Sequence, residues 1–507
     1  MIAALRQRFA RHGWLVAIAV AYLYVFPYFP RIQSANELPR VYLVRAIVDD
    51  QTFAIDRGVH DFGATADVSP SHGHQYSNKA PGSSFVAVPF YALWKWTLGE
   101  PSLAQSMWIC RFAAGIVPAI AFLALLASFL ARMNLDPDAR RLALVAYALG
   151  SMAMTYALLY YSHQLSAVCV GAAWILATDV VEERRGWVAM LAAGALAGAA
   201  PLVDYQAAFA CVPVAIFVLA RALRWPLGVA ARRLAPAIAG AAVPIAILLA
   251  YHAACFGSPW RTGYDASQTF AGFHQHGFLG LTRPHADALW GSLAAPDNGL
   301  VTLAPWLLLA IPGGIALWRR GQRGLVATAG SVAVVMVLFV SSINFWRGGW
   351  GVGPRYITVM LPFLVPLAAA GFGVLRARPL ALGAACGTVV VGVVVYAGSA
   401  ATFPYWPDSL RVPLYEVTVR LLGDGAVAPN VANTCGLYGL LSIAPYVAAV
   451  AGLVGWAIAR AAGWRGLGLA VVVGALLIGA LGLVPHGGEH ADRAYVQTIR
   501  PALPPAW

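Results

Sequence analysis

The residues of this sequence best suited to chemistry lie in one polar stretch near the N-terminal end. The segment "QYSNKAPGSSF", residues 75–85, holds Lys79, one of only two lysines among the 34 basic residues of the chain. A lysine carries a compact, mobile ammonium, whereas an arginine carries a rigid planar fork. Upstream, Glu37 and Asp50 supply carboxylates, which can accept a proton from a reacting hydroxyl. For these residues to act together, the elements of the fold must bring the ammonium and a carboxylate to one place.

Composition places these residues in a membrane protein. The chain is 60% hydrophobic and 11% charged, with a mean hydropathy of +0.69, and apolar runs of about 20 residues, the length of a membrane-crossing helix, recur to its end. The net charge of +13 does not indicate nucleic-acid binding, because the arginines stand at the ends of apolar runs instead of on one soluble face. No small-residue cleavage site follows residues 14–30, so we expect a first membrane span there and not a signal peptide.

The arginines also predict the orientation of the spans. Arg6, Arg8 and Arg11 place the N-terminus in the cytoplasm, and strict alternation from there leaves 19 arginines and five acids on inside loops, against 15 basic and 16 acidic residues outside. We therefore expect an all-α polytopic membrane protein with about thirteen transmembrane helices. The predicted spans lie near residues 14–30, 107–131, 139–159, 164–181, 187–203, 206–222, 234–254, 299–318, 324–342, 356–375, 379–400, 438–459 and 466–484.

The predicted outer side carries the long polar segments. These segments are 31–106, 255–298 and 401–437, with an external tail from residue 485. The inside loops are short, so we expect the chemistry on the extracytoplasmic side. We divide the chain into a catalytic transmembrane module, residues 1–375, and the C-terminal spans, residues 376–507.

The first outer segment is expected to hold amphipathic juxtamembrane helices. Ser34 or Asn36 can cap a helix with Glu37 in its first turn, and the apolar residues from Leu38 to Val48 give that helix one apolar face, so that it lies on the membrane. The run "FVAVPFYALWKWTL", residues 85–98, is too short to cross the bilayer and has the tryptophans of an interfacial helix.

Two further patterns in the outer segments have an ordinary explanation. The histidines His60, His72, His74, His274 and His276 could assemble a metal site, but exposed histidines of a polar loop explain them better. No cofactor is expected; a divalent cation is compatible with the sequence but is not indicated by it. Cys255 and Cys435 face the oxidising side, where two free thiols are favoured over a disulfide.

Several motifs resemble those of the glycosyltransferase C superfamily, above all its bacterial lipid A aminoarabinose transferases and protein O-mannosyltransferases. Where those families show Asp-Glu-x-x-Arg and later Lys-Pro-Pro-Leu, this chain has Asn36-Glu37-x-x-Arg40 and Tyr76-x-x-Lys79-Ala80-Pro81-Gly82. The likeness continues in "GSPW" at 257–260, "PDNGLVTLAPW" at 296–306 and "GPRYITVMLPFLVPL" at 353–367.

The resemblance implies a chemistry for the first outer segment. Such enzymes move one sugar from a polyprenyl phosphate to an acceptor, which requires a carboxylate as general base and cations on the departing phosphate. Because Asn36 stands where the family has its first acid, the base falls to Glu37 or to its alternative Asp50. Lys79 is assigned to the phosphate, with Arg355 as its partner. The further substrate-binding candidates are Arg40, Tyr76, Asn78, Asp204, His274 and Tyr356.

The expected function is that of an inverting glycosyltransferase that uses a polyprenyl phosphate sugar and acts on a glycan, lipid or protein of the cell envelope. Its partners would be that donor, the acceptor and the bilayer of the inner membrane. A flippase or transporter of a lipid-linked sugar is one alternative, and an inactive assembly scaffold, suggested by Asn36, is another. A transporter should carry charges within its spans, whereas here they cluster in outer segments, which favours the enzyme.

Overall fold

The computed structural model describes residues 2–31, 34–274, 276–278 and 280–499, with side chains from residue 13 to residue 498. In this part the chain forms 22 α-helices and one antiparallel β-hairpin. The first twelve helices are α1 (Ile2–Tyr24), α2 (Leu38–Arg45), α3 (Asp56–Phe62), α4 (Gly82–Leu98), α5 (Leu103–Arg111), α6 (Val117–Ala131), α7 (Pro137–Leu149), α8 (Met152–Leu158), α9 (His163–Val181), α10 (Trp187–Val203), α11 (Ala207–Ala222) and α12 (Leu227–Phe256). The others are α13 (Ala271–His274), α14 (Ala286–Leu293), α15 (Leu300–Leu303), α16 (Ala310–Arg319), α17 (Arg323–Ser342), α18 (Leu361–Leu375), α19 (Pro379–Ala401), α20 (Arg420–Gly423), α21 (Gly439–Gly482) and α22 (His490–Ile499). The hairpin pairs β1 (Val68–Ser71) with β2 (His74–Ser77).

The membrane-spanning helices agree with the predicted polytopic, all-α fold class. Among the described residues, seven helical segments are long and apolar enough to cross a membrane, and the pair α7–α8, bent by 47°, brings the number to eight. Residues 13–24, α10 and α11 are shorter apolar helices. Each predicted span overlaps a helix, but the count of thirteen stays a prediction, because several of these helices are short and two predicted spans fall on α21 alone.

Backbone breaks divide the longer apolar stretches. Within α21, Gly463 adopts a φ of 72°, which is not helical and separates the two predicted spans of that segment. Between α7 and α8, Ser151 caps the second helix by accepting a hydrogen bond from the Ala153 N–H. These breaks let one apolar stretch change direction while its backbone groups stay bonded.

Two parts of the sequence-based topology fall outside what is described. The side chains of Arg6, Arg8 and Arg11, on which the predicted orientation of the first span depends, lie outside the described residues. Residues 500–507, the end of the predicted external tail, lie outside them as well.

Small residues allow neighbouring spans to pack closely. A methyl group at Gly194 in α10 would overlap the carbonyl of Ala237 in α12, and one at Gly313 in α16 would overlap that of Leu367 in α18. Such contacts replace the hydrophobic driving force that helices lack inside a lipid environment. They fix the frame on which the outer loops rest.

The first outer segment forms a layer over this frame. Helix α2 is present as predicted, but the predicted cap at Ser34 or Asn36 is wrong: the helix begins at Leu38, and Glu37 stands at its N-cap without a side-chain capping bond because Arg111 and Tyr405 bind its carboxylate. The helix continues as a π-helical turn over residues 46–50. Helix α4 is 17 residues long, and Gly82 at its start lies against the backbone of Leu202 at the end of α10. Between α3 and α4 the β-hairpin, which the sequence pattern does not reveal, returns the chain toward α2.

Candidate functional site

A cavity of about 260 Å³ opens where the outer loops meet the ends of the helices. Its wall comes from the loop before α2, both ends of the hairpin, the loop before α9, the 264–274 segment and the loops that precede α18 and follow α19. The lining residues are Ser34, Ala35, Asn36, Asp67, Lys79, Tyr161, Tyr264, Phe270, His274, Phe345, Gly348, Gly349, Trp350, Arg355, Tyr356 and Tyr405.

The hairpin brings Lys79 and Asp67 together at one side of this cavity. Because Val68 pairs with Ser77, the residues just outside the strands, Asp67 and Asn78, come to lie opposite each other. Lys79 Nζ then donates to Asp67 Oδ1 at 2.8 Å, and Asn78 Nδ2 donates to the same oxygen at 3.2 Å. Burial lowers the pKa of the Lys79 ammonium, and the charge of Asp67 opposes that shift. The cavity thus holds an ion pair in which one carboxylate oxygen accepts both bonds.

Arg355 supplies a second cation, and it has no carboxylate partner among the described residues. Its guanidinium donates to the backbone carbonyls of Gly348 and, at 3.3 Å, of Trp350. It also lies 4.9 Å from the ring centre of Tyr161. A methyl group at Gly348, which has a φ of 73°, would stand 2.7 Å from Arg355 Nε, so glycine is needed there for the guanidinium to fit. A buried charge without an opposite charge beside it is costly. The Arg355 guanidinium therefore favours the binding of an anion in the cavity.

Arg40 is buried beside the cavity but does not line it. It donates to Ser83 Oγ at 3.0 Å, Ala80 O at 3.3 Å and Asn36 Oδ1 at 3.4 Å, all uncharged acceptors. Burial lowers the pKa of its guanidinium. Arg40 therefore joins α2 to the start of α4 and adds positive charge behind the wall.

Glu37 is fully buried and lies outside the cavity lining. Its Oε1 accepts from Arg111 Nε at 2.9 Å and from the Tyr160 backbone N–H at 2.7 Å. Its Oε2 accepts from Arg111 Nη2 at 2.9 Å and from the Tyr405 hydroxyl at 2.7 Å. With both oxygens occupied, this geometry favours a positioning role, and the assignment of Glu37 as the general base stays a prediction.

The alternative base, Asp50, is also placed away from the cavity. Its Oδ1 accepts from Arg57 Nη1 at 2.6 Å on the outer surface, and the Arg57 side chain is 64% exposed. Of the described residues that line the cavity, Asp67 is the one carboxylate. Asp67 was not among the sequence-based candidates, because its position depends on the register of two four-residue strands.

Asp204 forms part of a buried group behind the cavity. Its Oδ2 lies 2.7 Å from His163 Nδ1 and accepts from Gln206 Nε2 at 3.1 Å. The His163 ring meets the Tyr356 ring edge-on, with 5.7 Å between ring centres. Sequence reasoning found Asp204 and missed His163, although a histidine between two apolar runs, in "YYSHQ", was a usable signal.

Aromatic rings form the remaining wall. His274 stacks on Tyr264 with 4.3 Å between ring centres, and burial, followed by the charge of Lys79, lowers the pKa of His274 to about 4. Tyr356 and His274 line the cavity as predicted for substrate contacts, whereas Tyr76 packs against Phe256 in a separate apolar cluster. His274 is therefore a neutral ring at neutral pH.

The structure also describes the cysteines and histidines that were considered for a disulfide and for a metal site. Cys255 is buried and Cys435 is exposed, and both are free thiols. His60 lies beside Asp61, whereas His74 lies beside Asp56. Within the described residues, no three histidine, cysteine, aspartate or glutamate side chains gather as a metal site would require.

Comparison with known proteins places this cavity in a known fold. No family model matches the sequence, and no curated protein matches it. ArnT from Cupriavidus metallidurans bound to undecaprenyl phosphate superposes with a TM-score of 0.52 at 17% identity, over 97% of this chain and 79% of that chain. The archaeal oligosaccharyltransferase AglB from Archaeoglobus fulgidus, in complex with an inhibitory peptide and a dolichol-phosphate, gives 0.44 at 12% identity, over 78% and 56%. The likeness to ArnT, at 17% identity, shows that this chain has the fold of that protein.

Proposed function

We propose that this polytopic membrane protein, which has the glycosyltransferase C fold, transfers one sugar from a polyprenyl phosphate to a cell-envelope acceptor at the extracytoplasmic face. The observation that carries the proposal is the pair of cations, Lys79 and Arg355, in one buried cavity with a single carboxylate among its described lining residues. Before a ligand binds, the lining has an excess of positive charge, and the phosphate of a lipid-linked sugar would balance it.

The two cations would act on the departing phosphate. Negative charge grows on that group as the bond between the anomeric carbon and the phosphate oxygen breaks, and fixed cations stabilise this charge without reorganising. Arg355 is held by two carbonyls and two aromatic rings, so its position is set before the donor arrives. Lys79 can turn from Asp67 toward the phosphate, because its ammonium is a mobile point charge.

Asp67 is the carboxylate best placed to act as general base. Its Oδ1 accepts from Lys79 and Asn78, and no described residue donates to its Oδ2. In an inverting transfer the acceptor oxygen attacks the anomeric carbon, its proton passes to Asp67, and the bonding electrons leave with the phosphate. Glu37, held by Arg111 and Tyr405, would then position the loop before α2.

The reaction is assigned to the extracytoplasmic face on the charge distribution. The cavity lies at the start of α9, whereas Arg132 and Arg185, which bond Asp179, lie at the opposite end of that helix. Arginine-rich ends face the cytoplasm, so the cavity opens outward.

Binding of undecaprenyl phosphate to the purified protein tests the proposal directly. We expect saturable binding in detergent micelles that Arg355→Gln weakens about tenfold or more, since a charge-assisted contact is lost. Mass spectrometry of lipids that copurify with the full chain should detect a polyprenyl phosphate with one sugar. That lipid, labelled in its sugar, should pass its label to an envelope extract, and movement of intact lipid across liposomes without transfer would mark a flippase instead.

A further inference from the structure

A second polar cavity, of about 220 Å³, lies at the other end of the bundle. Helix α9 begins beside the candidate active site and ends at this cavity, and α17 begins here and ends near Phe345 of the active-site wall. The C-terminal ends of α6, α9 and α11 and the turn before α17 enclose it. The two cavities are therefore separated by the length of the spans.

Two residues that line this second cavity carry buried N–H groups without a partner. Arg132 Nε and Trp174 Nε1 are buried N–H groups with no acceptor among the described residues. Arg221 also lines the cavity, and no described carboxylate lies within 4.0 Å of its guanidinium. Buried donors are normally satisfied, so such a group of donors indicates an acceptor that binds from outside the chain.

The first turn of α17 points to the same kind of ligand. Gln322, at the N-cap of this 20-residue helix, makes no side-chain capping bond, so the first backbone N–H groups lack the usual acceptor. The start of a helix attracts anions through these groups and through the helix dipole. Gly324 has no side chain there, and a methyl group would lie 3.0 Å from Arg221 Nη2. The guanidinium and the helix start can therefore contact one ligand.

The charges of the cavity favour an anion, and its apolar residues favour a lipid. Arg184 pairs with Glu182 at 3.1 Å and Arg132 pairs with Asp179 at 2.7 Å, which leaves Arg221 as excess positive charge. Apolar side chains from three helices complete the lining: Phe129, Met133, Phe217 and Leu325. Basic pockets between membrane helices, with an apolar side, suit an anionic phospholipid.

We propose that this cavity binds the phosphate of an anionic phospholipid from the leaflet around the arginine-rich end of the bundle. The phosphate lies between Arg221, Arg132 and the start of α17, and the indole N–H of Trp174 donates a further hydrogen bond. The glycerol and the first carbons of the chains lie against Phe217 and Leu325. The bound lipid ties α9, α11 and α17 together at the end opposite the active site.

The test is the thermal stability of the purified full chain in detergent as phosphatidylglycerol is added. We expect phosphatidylglycerol to raise the Tm in a saturable way, whereas phosphatidylcholine and inorganic phosphate do not. Arg221→Gln should weaken the apparent affinity about tenfold or more. The matched control is Arg378→Gln, an exposed arginine at the same end that does not line the cavity, and it should bind as the parent does.

A second variant keeps the proposal testable if Arg221→Gln fails to fold. Trp174→Phe keeps an aromatic ring but removes the N–H together with part of the buried indole, so its lipid-free Tm should fall. Measured as the shift from that lower Tm, its affinity for phosphatidylglycerol should be severalfold weaker than that of the parent. Equal stabilisation by phosphatidylcholine would overturn the proposal, because the site would then not recognise charge. Equal stabilisation by inorganic phosphate would overturn the assignment to a lipid, and unchanged affinity in both variants would overturn the site.

Discussion

At the scale of single residues, the two lysines have opposite surroundings. Lys79 is 9% exposed and bonds the one carboxylate of the described cavity lining, Asp67. Lys95 lies at the surface of α4, where it bonds Asp49 at 2.6 Å and Glu100 at 3.3 Å. The rarity of lysine identified Lys79 as a candidate, and the structure places Lys79 in the cavity lining and Lys95 outside it.

We predict that Lys79→Ala weakens undecaprenyl phosphate binding about ten- to a hundredfold, because a charge-assisted contact in a buried cavity is lost. Lys79→Arg should recover only part of the affinity, since the larger fork does not fit the place of the ammonium. Lys95→Ala is the control and should bind as the parent does. Parent-like binding by Lys79→Ala would remove Lys79 from the phosphate site.

A second prediction separates the two carboxylates proposed as base. Glu37→Gln breaks a fully buried ion pair with Arg111, which costs about 3–5 kcal/mol, so the Tm should fall together with activity. Asp67→Asn should abolish sugar transfer and lower the Tm less than Glu37→Gln does, because its partner Lys79 borders the cavity, whereas Arg111 is fully enclosed. The readouts are the thermal unfolding and the transfer rate of each variant. A Glu37→Gln protein of parent stability that binds donor and transfers nothing would restore Glu37 as the base.

At the scale of elements, the sequence predicted helices well and the hairpin not at all. The apolar residues from Leu38 onward and the apolar run 85–98 were sufficient to predict that α2 and α4 are helices, and the interfacial position of α4 stays a prediction. The segments "VSPS" and "HQYS" have neither alternation nor β-branched residues in number, so nothing marks them as strands. Since the register of these strands places Asp67 against Lys79, the carboxylate of the cavity could not be found by spacing.

Close helix packing gives a prediction at this scale. Gly194→Ala should lower the Tm by several degrees, because the added methyl group overlaps the Ala237 carbonyl and overpacking costs about 1–3 kcal/mol. Gly228→Ala, at the start of α12, introduces the same group where no atom lies within 4 Å. Its Tm should equal or exceed that of the parent. Equal Tm values for the two variants would show that α10 and α12 do not approach as closely as described.

At the scale of the whole molecule, composition was sufficient for the fold class but not for the site. Hydropathy and arginine placement predicted a polytopic helical protein, and the structure and its likeness to ArnT confirm that class. The count of thirteen spans stays a prediction, since broken and short helices obscure span boundaries. The three partners of Glu37 lie 74, 123 and 368 residues away in the sequence, and no local pattern reveals contacts over such distances.

The orientation can be tested with reporter fusions. A reporter after Arg320 should read cytoplasmic, and reporters near His274 and after His490 should read external, because arginine-rich loops stay inside. The measurement is the activity of a paired reporter that is active on only one side of the membrane. An external reading after Arg320 would contradict the predicted alternation of spans and the proposal that the cavity faces outward.

The bond between Tyr405 and Glu37 also sets an order of events during synthesis. Tyr405 follows α19, and it lines the cavity while its hydroxyl holds the loop before α2. A nascent chain that has emerged only as far as α18 already has Lys79, Asp67 and Arg355, but it lacks this wall and the hydroxyl that holds Glu37. The ribosome must therefore deliver the C-terminal spans before the wall of the cavity is complete and Glu37 has all its partners.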